Sequence, residues 1–279
     1  MEHLNRAHRS GRTRIGAAVL AIAALLIPLS TGGPASANPS ETENRPTIVL
    51  VHGDWADSSS WSDVIERLQR QGHTVVAPPN PLRGPTSDAA YIASYLQTIP
   101  GPIVLVAHSY GGFVITNAAR GNPNIRALVY INAFIPDTGQ TGAEFTADSC
   151  VNADAFNPVP GPGGVLDLYL RVDPNMTYPG FADCFANGVN RKETALLVAT
   201  QRPAAADQFT DPSGPPAWET IPSWSLIGAA DRVITPAQQQ AMSTNAGAHI
   251  STVDAGHLSL ITRPNAVTDV IETAVDATT

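Results

Sequence analysis

The chain has 279 residues, with 16 Lys and Arg against 24 Asp and Glu, and its formal net charge is −8. That acidic balance argues against nucleic acid or an anionic membrane surface as a partner and favours solubility. The length accommodates one sizeable α/β core with an inserted subdomain once a leader is set aside.

Arg6, Arg9, Arg12 and Arg14 form a basic start, followed by an apolar stretch from Ile15 to Leu29. That stretch is shorter than the roughly 20 residues a membrane-spanning helix needs. Ala35-Ser36-Ala37 reads as an A-x-A cleavage site. The expectation is a secretory signal peptide over 1–37, cut after Ala37, giving an exported chain with no membrane attachment. An uncleaved anchor is the alternative. Loss of four arginines and one glutamate with the leader takes the formal charge from −8 to −11.

Residues 38–46 read as a polar linker before a domain over 47–279. Thr47–Val51 is an unbroken β-branched and apolar run, the mark of a fully buried strand. Trp61, Val64, Ile65 and Leu68 recur at helical spacing after the serines at 58–60. A short strand is expected over His73–Ala77, a helix over Asp88–Ile99, and a strand over Ile103–Ala107. A helix from Phe113 to Ala119 and a strand over Ala127–Asn132 follow. From Pro136 to about Ile221 the alternation breaks into a Pro-, Gly- and Asn-rich region, read as an inserted lid. Helical patches are expected there at Val165–Val172 and Lys192–Thr200. Alternation resumes with strand Ser223–Gly228, helix Pro236–Ala246, strand Ile250–Val253 and a last helix from Pro264 to about Val275. Strands alternating with helices predict a mostly parallel sheet covered on both faces. Cys150 and Cys184 are the only cysteines, and in an exported chain they are expected to form a disulfide within the lid.

The chemistry concentrates where strands end. Ala107-His108-Ser109-Tyr110-Gly111 places a serine between small residues at a strand-to-helix corner, the arrangement that lifts a serine hydroxyl clear of the backbone. Ala107 stands where that motif usually has Gly. A serine becomes a nucleophile only beside a base, and the base needs an orienting acid. His257 follows one strand and Asp231 another, in the order Ser, Asp, His. Asp137, also past a strand end, is the rival acid. His52-Gly53 ends the first strand, so the backbone N–H of Tyr110 with that of Asp54 or Trp55 would form an oxyanion hole. His52 reads as a brace for that loop and His108 as a packing residue of the corner. His73 and His249 read as structural. Trp55, Trp61 and Tyr110 would line a substrate pocket or fill core. No cysteine, histidine or carboxylate run has metal-ligand spacing, and no cofactor is expected.

With these motifs the chain resembles the α/β-hydrolase superfamily over residues 47–275. It is most similar to small cofactor-free bacterial hydrolases with His-Gly-x-Trp, x-His-Ser-Tyr-Gly-Gly and Gly-x-x-Asp-Arg motifs, shortened by two strands at the N-terminus. The resemblance implies Ser109 as nucleophile, Asp231 as acid and His257 as base, acting on a small-molecule ester. Two other readings sit on the same scaffold. One is a lyase similar to hydroxynitrile lyases, with Lys192 as the assisting lid lysine, and the other a non-catalytic ligand binder.

Overall fold

A computed structural model of the protein describes residues 45–172 and 180–279. The expected signal peptide and nearly all of the linker lie outside these residues.

Six strands make one parallel sheet. They are β1 (Thr47–Val51), β2 (Val75–Val76), β3 (Ile103–Ser109), β4 (Ile125–Ala133), β8 (Ser223–Gly228) and β9 (His249–Val253), in the order β2-β1-β3-β4-β8-β9. The central strands carry aliphatic residues on both faces because both are covered: every residue of β3 is buried. The register pairs Val49 with Leu105 and Leu105 with Leu128.

Chain direction assigns the helices to faces. The step from β1 to β2 runs one way along the sheet and every later step the other way. Right-handed crossovers therefore put α1 (Ser62–Arg70) on one face. The opposite face takes α2 (Pro85–Leu96), α3 (Gly111–Ala118) and α5 (Pro236–Asn245). The final helix, α7 (Pro264–Asp276), returns to pack on α1, whereas α2 packs on α3. The strand order reverses between β1 and β3, and a crevice opens at such a switch point, above the carboxyl ends of the strands.

Residues 136–221 interrupt the sheet between β4 and β8. Here β5 (Phe156–Pro160), β6 (Leu166–Leu170) and β7 (Ala204–Ala205) form a small antiparallel sheet, joined by α4 (Arg191–Ala199). Helix α4 starts at an Asn190 side chain that accepts from Glu193 N–H. The helix expected over Val165–Val172 is instead strand β6. Leu166, Leu168 and Leu170 alternate with Asp167 and Tyr169, a period of two, and buried Leu168 and Leu170 face inward. The strand expected over His73–Ala77 shrinks to Val75–Val76, held on one side only by β1. A short helix α6 (Ser259–Thr262) follows the 257 loop directly.

Candidate active site

Ser109 is the last residue of β3 and takes φ +54°, a left-handed conformation unfavourable for a residue with a side chain. The strain persists because the surroundings dictate the turn. A side chain at Gly53 would place its Cβ 2.6 Å from Ser109 Cβ, and one at Gly111 2.7 Å from the Val51 carbonyl oxygen. One at Gly112 would run into the Phe134 carbonyl. Small residues are thus required where the corner passes between β1 and β4. Two other non-glycine residues with positive φ, Trp55 and Asn132, border the same site.

The loops after β3, β8 and β9 converge. Ser109 Oγ donates to His257 Nε2 at 2.9 Å, and His257 Nδ1 donates to Asp231 Oδ2 at 2.9 Å. Asp231 and His257 are buried, and Ser109 is only 2% exposed. The Asp231 carboxylate also accepts from the N–H groups of Val233 and Ile234 and from the side-chain amides of Asn132 and Gln239. Five donors fix its orientation and hence the imidazole tautomer. Asp137, the rival acid, accepts instead from Thr138 N–H and the Asn245 amide and makes no bond to His257.

His257 is held from three further sides. His108 Nε2 donates to its carbonyl at 3.0 Å, with the two rings 4.7 Å apart. Asn187 accepts from its N–H, and Phe185 packs on its ring at 5.5 Å. Burial pushes the pKa of His108 well below the ordinary histidine value, and the nearby His257 adds to this. Neutral His108 therefore packs and positions. His52 braces the opposite loop: its Nε2 accepts from Asn80 N–H, so the ring proton sits on Nδ1 and donates to the Gly53 carbonyl. Burial lowers its pKa to about 4.

The backbone N–H groups of Tyr110, Asp54 and Trp55 find no acceptor among the described residues. They border a narrow cavity beside Ser109, whose space for a water-sized sphere is about 30 Å³. Its walls are aromatic, with Phe113 and Phe134 from the core and Phe145 and Phe209 from the insertion. Trp55 and Tyr110 are both among the residues lining it. Trp55 Nε1 donates to the Leu168 carbonyl and so ties the 52–55 loop to β6. Tyr110 Oη donates to buried Asp88 at 2.8 Å. Trp61 is not brought there: it is fully buried beneath the corner, edge-on to His108. Lys192 is exposed on α4 and does not line the cavity. Cys150 and Cys184 are disulfide-bonded, with Cα atoms 5.8 Å apart.

Comparison with known proteins agrees with this architecture. The chain is 34% identical over 107 residues to a carbendazim hydrolyzing esterase of Nocardioides sp. (strain SG-4G), covering 34% of this chain and 44% of that protein. It is 30% identical over 171 residues to the α-hydroxynitrile lyase of Arabidopsis thaliana, covering 56% and 57%. The chain thus spans about half the length of the curated relatives it matches. Among solved structures, a pyrethroid hydrolase from Sphingobium faniae JZ-2 superposes with a TM-score of 0.64 at 20% identity, over 83% of this chain and 98% of that one. The model of the alpha/beta hydrolase family matches residues 48–270, and the chain belongs to that family.

Proposed function

We propose that the protein is an exported serine hydrolase that cleaves carboxylic esters of small molecules. The observation that carries this reading is the hydrogen-bonded line Ser109–His257–Asp231, beside N–H groups that find no acceptor among the described residues. Ser109 Oγ attacks the ester carbonyl carbon while His257 Nε2 takes its proton. The carbonyl oxygen becomes an oxyanion received by Tyr110 N–H and by Asp54 or Trp55 N–H. Collapse expels the alcohol, which leaves with the proton from His257. A water then repeats the sequence on the acyl-enzyme and releases the acid. The Asp231 side chain orients the imidazole and steadies the imidazolium that forms. The insertion at 136–221 acts as the lid, since Gly142, Phe145, Gln208 and Phe209 form part of the cavity wall.

The carbendazim-hydrolysing relative, named as an esterase, supports the same chemistry here. Export is supported by the Cys150–Cys184 bond. Among the described residues, no helix is long and apolar enough to cross a membrane. The similarity to an α-hydroxynitrile lyase favours a lyase as second reading, though Lys192 is exposed on α4 and is not among the residues lining the cavity. The test is turnover of p-nitrophenyl esters of increasing chain length beside cleavage of mandelonitrile. Ester turnover is expected, falling about 10⁴–10⁶-fold in Ser109→Ala, with a phosphonofluoridate labelling Ser109 alone. Cyanohydrin cleavage without ester turnover selects the lyase, and turnover of neither selects a binder.

A further inference from the structure

The ester-hydrolase reading leaves one buried ionisable group without a task. Asp54 follows His52-Gly53 on the loop that would offer its own N–H to the oxyanion, and the residue borders the cavity beside Ser109. It is 5% exposed. Oδ2 accepts from Gln208 Nε2 at 2.6 Å, whereas Oδ1 is buried with no partner among the described residues. Buried polar atoms are rarely left so, and an unpaired one in a binding cavity selects ligands that complete it.

Its surroundings settle which form the carboxyl takes. The charged or ionisable neighbours are Asp88 and Arg83, at the start of α2, and Tyr110 at the corner, whose hydroxyl is spent on Asp88. Among the described residues no cation pairs with Asp54: Arg83 bonds to Asp167 on β6. Burial raises the Asp54 pKa to about 8, with the Asp88 charge adding and the Gln208 amide and Arg83 opposing. At neutral pH the group is a carboxylic acid. With Oδ2 accepting from Gln208 Nε2, its proton sits on Oδ1, which has no partner among the described residues; Gln208 Oε1 is likewise buried and unpartnered there.

We propose that Asp54 is a specificity-determining hydrogen-bond donor, selecting uncharged esters that carry an acceptor oxygen close to the scissile carbonyl. This rests on the ester-hydrolase reading and adds a substrate class to it. Oδ1–H donates to an ether or second carbonyl oxygen of such a substrate. An ester with a methylene at that place leaves the donor unpaired. When Asp54 ionises, the donor disappears and a negative charge stands beside the developing oxyanion, so the preference collapses on the alkaline side.

The test uses two isosteric pairs, p-nitrophenyl methoxyacetate against butyrate and 2-methoxyethyl acetate against butyl acetate. Each is read as a ratio of kcat/KM in the wild type divided by the same ratio in a variant, which cancels intrinsic reactivity. At pH 7 the ether member of at least one pair should gain about 10–100-fold in the wild type relative to Asp54→Leu. Asp54→Asn, still a neutral donor, should retain most of that preference and lose its alkaline fall. Independently, wild type minus Asp54→Asn infrared difference spectra should show a protonated carboxylic acid band at pH 7 that gives way to carboxylate bands above pH 8. Equal ratios in wild type and Asp54→Leu for both pairs overturn the proposal and leave the hydrolase standing, as does a carboxylate band at pH 7. A wild type that turns over neither pair and is not labelled at Ser109 overturns the hydrolase reading, and this inference with it.

Discussion

At the scale of single residues, the orienting carboxylate makes the sharpest prediction. Asp231 and Asp137 both follow strand ends, but only Asp231 meets His257, at 2.9 Å. Asp231→Asn is isosteric yet reverses the hydrogen-bonding sense at Nδ1, favouring the wrong tautomer, so ester turnover should fall about 10⁴-fold in a folded protein. Asp137→Asn should stay within about tenfold. Steady-state kinetics at neutral pH with circular dichroism checks both. Asn132 is one of the residues the sequence did not announce. Its amide donates to Asp231 and to the Gly256 carbonyl, and its carbonyl accepts from Ser259. Asn132→Ala should cost about 1–3 kcal/mol of stability by leaving these partners buried and unpaired, and should lower kcat more than it changes KM. Denaturant unfolding and kinetics separate the two effects.

Why Ser109, Asp231 and His257 were legible in the sequence, and Asn132, Gln239 and Asn187 were not, follows from how each is specified. The first three sit in local strand–turn patterns whose chemistry is visible over five residues. Asn132 ends an apolar strand with nothing local to mark it, and it acts on partners 99 and 124 residues away. Trp61 was readable as apolar and helical but not as core or pocket, because that depends on β3 running above it. Asp54 was legible as a backbone donor only. That its side chain is buried against Gln208, 154 residues on, is a property of the folded insertion.

At the scale of elements, β1, β3 and β4 were readable because buried parallel strands are plain apolar runs, and the helices between strands have periodicity and caps, whereas the edge strand β2 shrinks to two residues and β9 is largely exposed. The insertion was not readable in that way. Its strands are short, β5 contains two prolines, and β6 pairs leucines with a helix-compatible composition. Only the alternation of Leu166, Leu168 and Leu170 betrayed the strand. The disulfide lies wholly within this region, and each of its ends adjoins a residue of the site. Cys150 is flanked by Ser149 and Val151 of the cavity wall, and Cys184 by Phe185, which packs on His257. With a sequence separation of 34 the bond restricts the unfolded chain by roughly 3–4 kcal/mol in the chain-entropy model. A Cys150→Ser, Cys184→Ser double variant should therefore melt lower. In mild denaturant its esterase activity should fall before the sheet's circular dichroism signal does. Coincident loss of both would show that the insertion and the sheet unfold as one unit.

At the scale of the whole molecule, two buried groups tilt stability with pH in opposite directions. His52 is neutral when folded, with its pKa lowered from 6.5 to about 4. The stability it contributes is present above 6.5 and lost as pH falls towards 4, because the unfolded chain takes up the proton first. Asp54 is the reverse: its pKa is raised from 3.8 to about 8, so its contribution is complete below 3.8 and lost as pH rises through 8. Between 6.5 and 8 only the second of these slopes operates. One proton held by the native state alone changes stability by about 1.4 kcal/mol per pH unit, so the loss from Asp54 across that window is about 2 kcal/mol. Asp54→Asn keeps the shape and removes the titration. Its unfolding free energy, measured in urea from pH 6 to 9, should therefore rise relative to wild type as pH increases and level off above 8. Ionisable groups remote from Asp54 cancel in that difference. Parallel curves for the two proteins would mean that the native state binds no extra proton at Asp54.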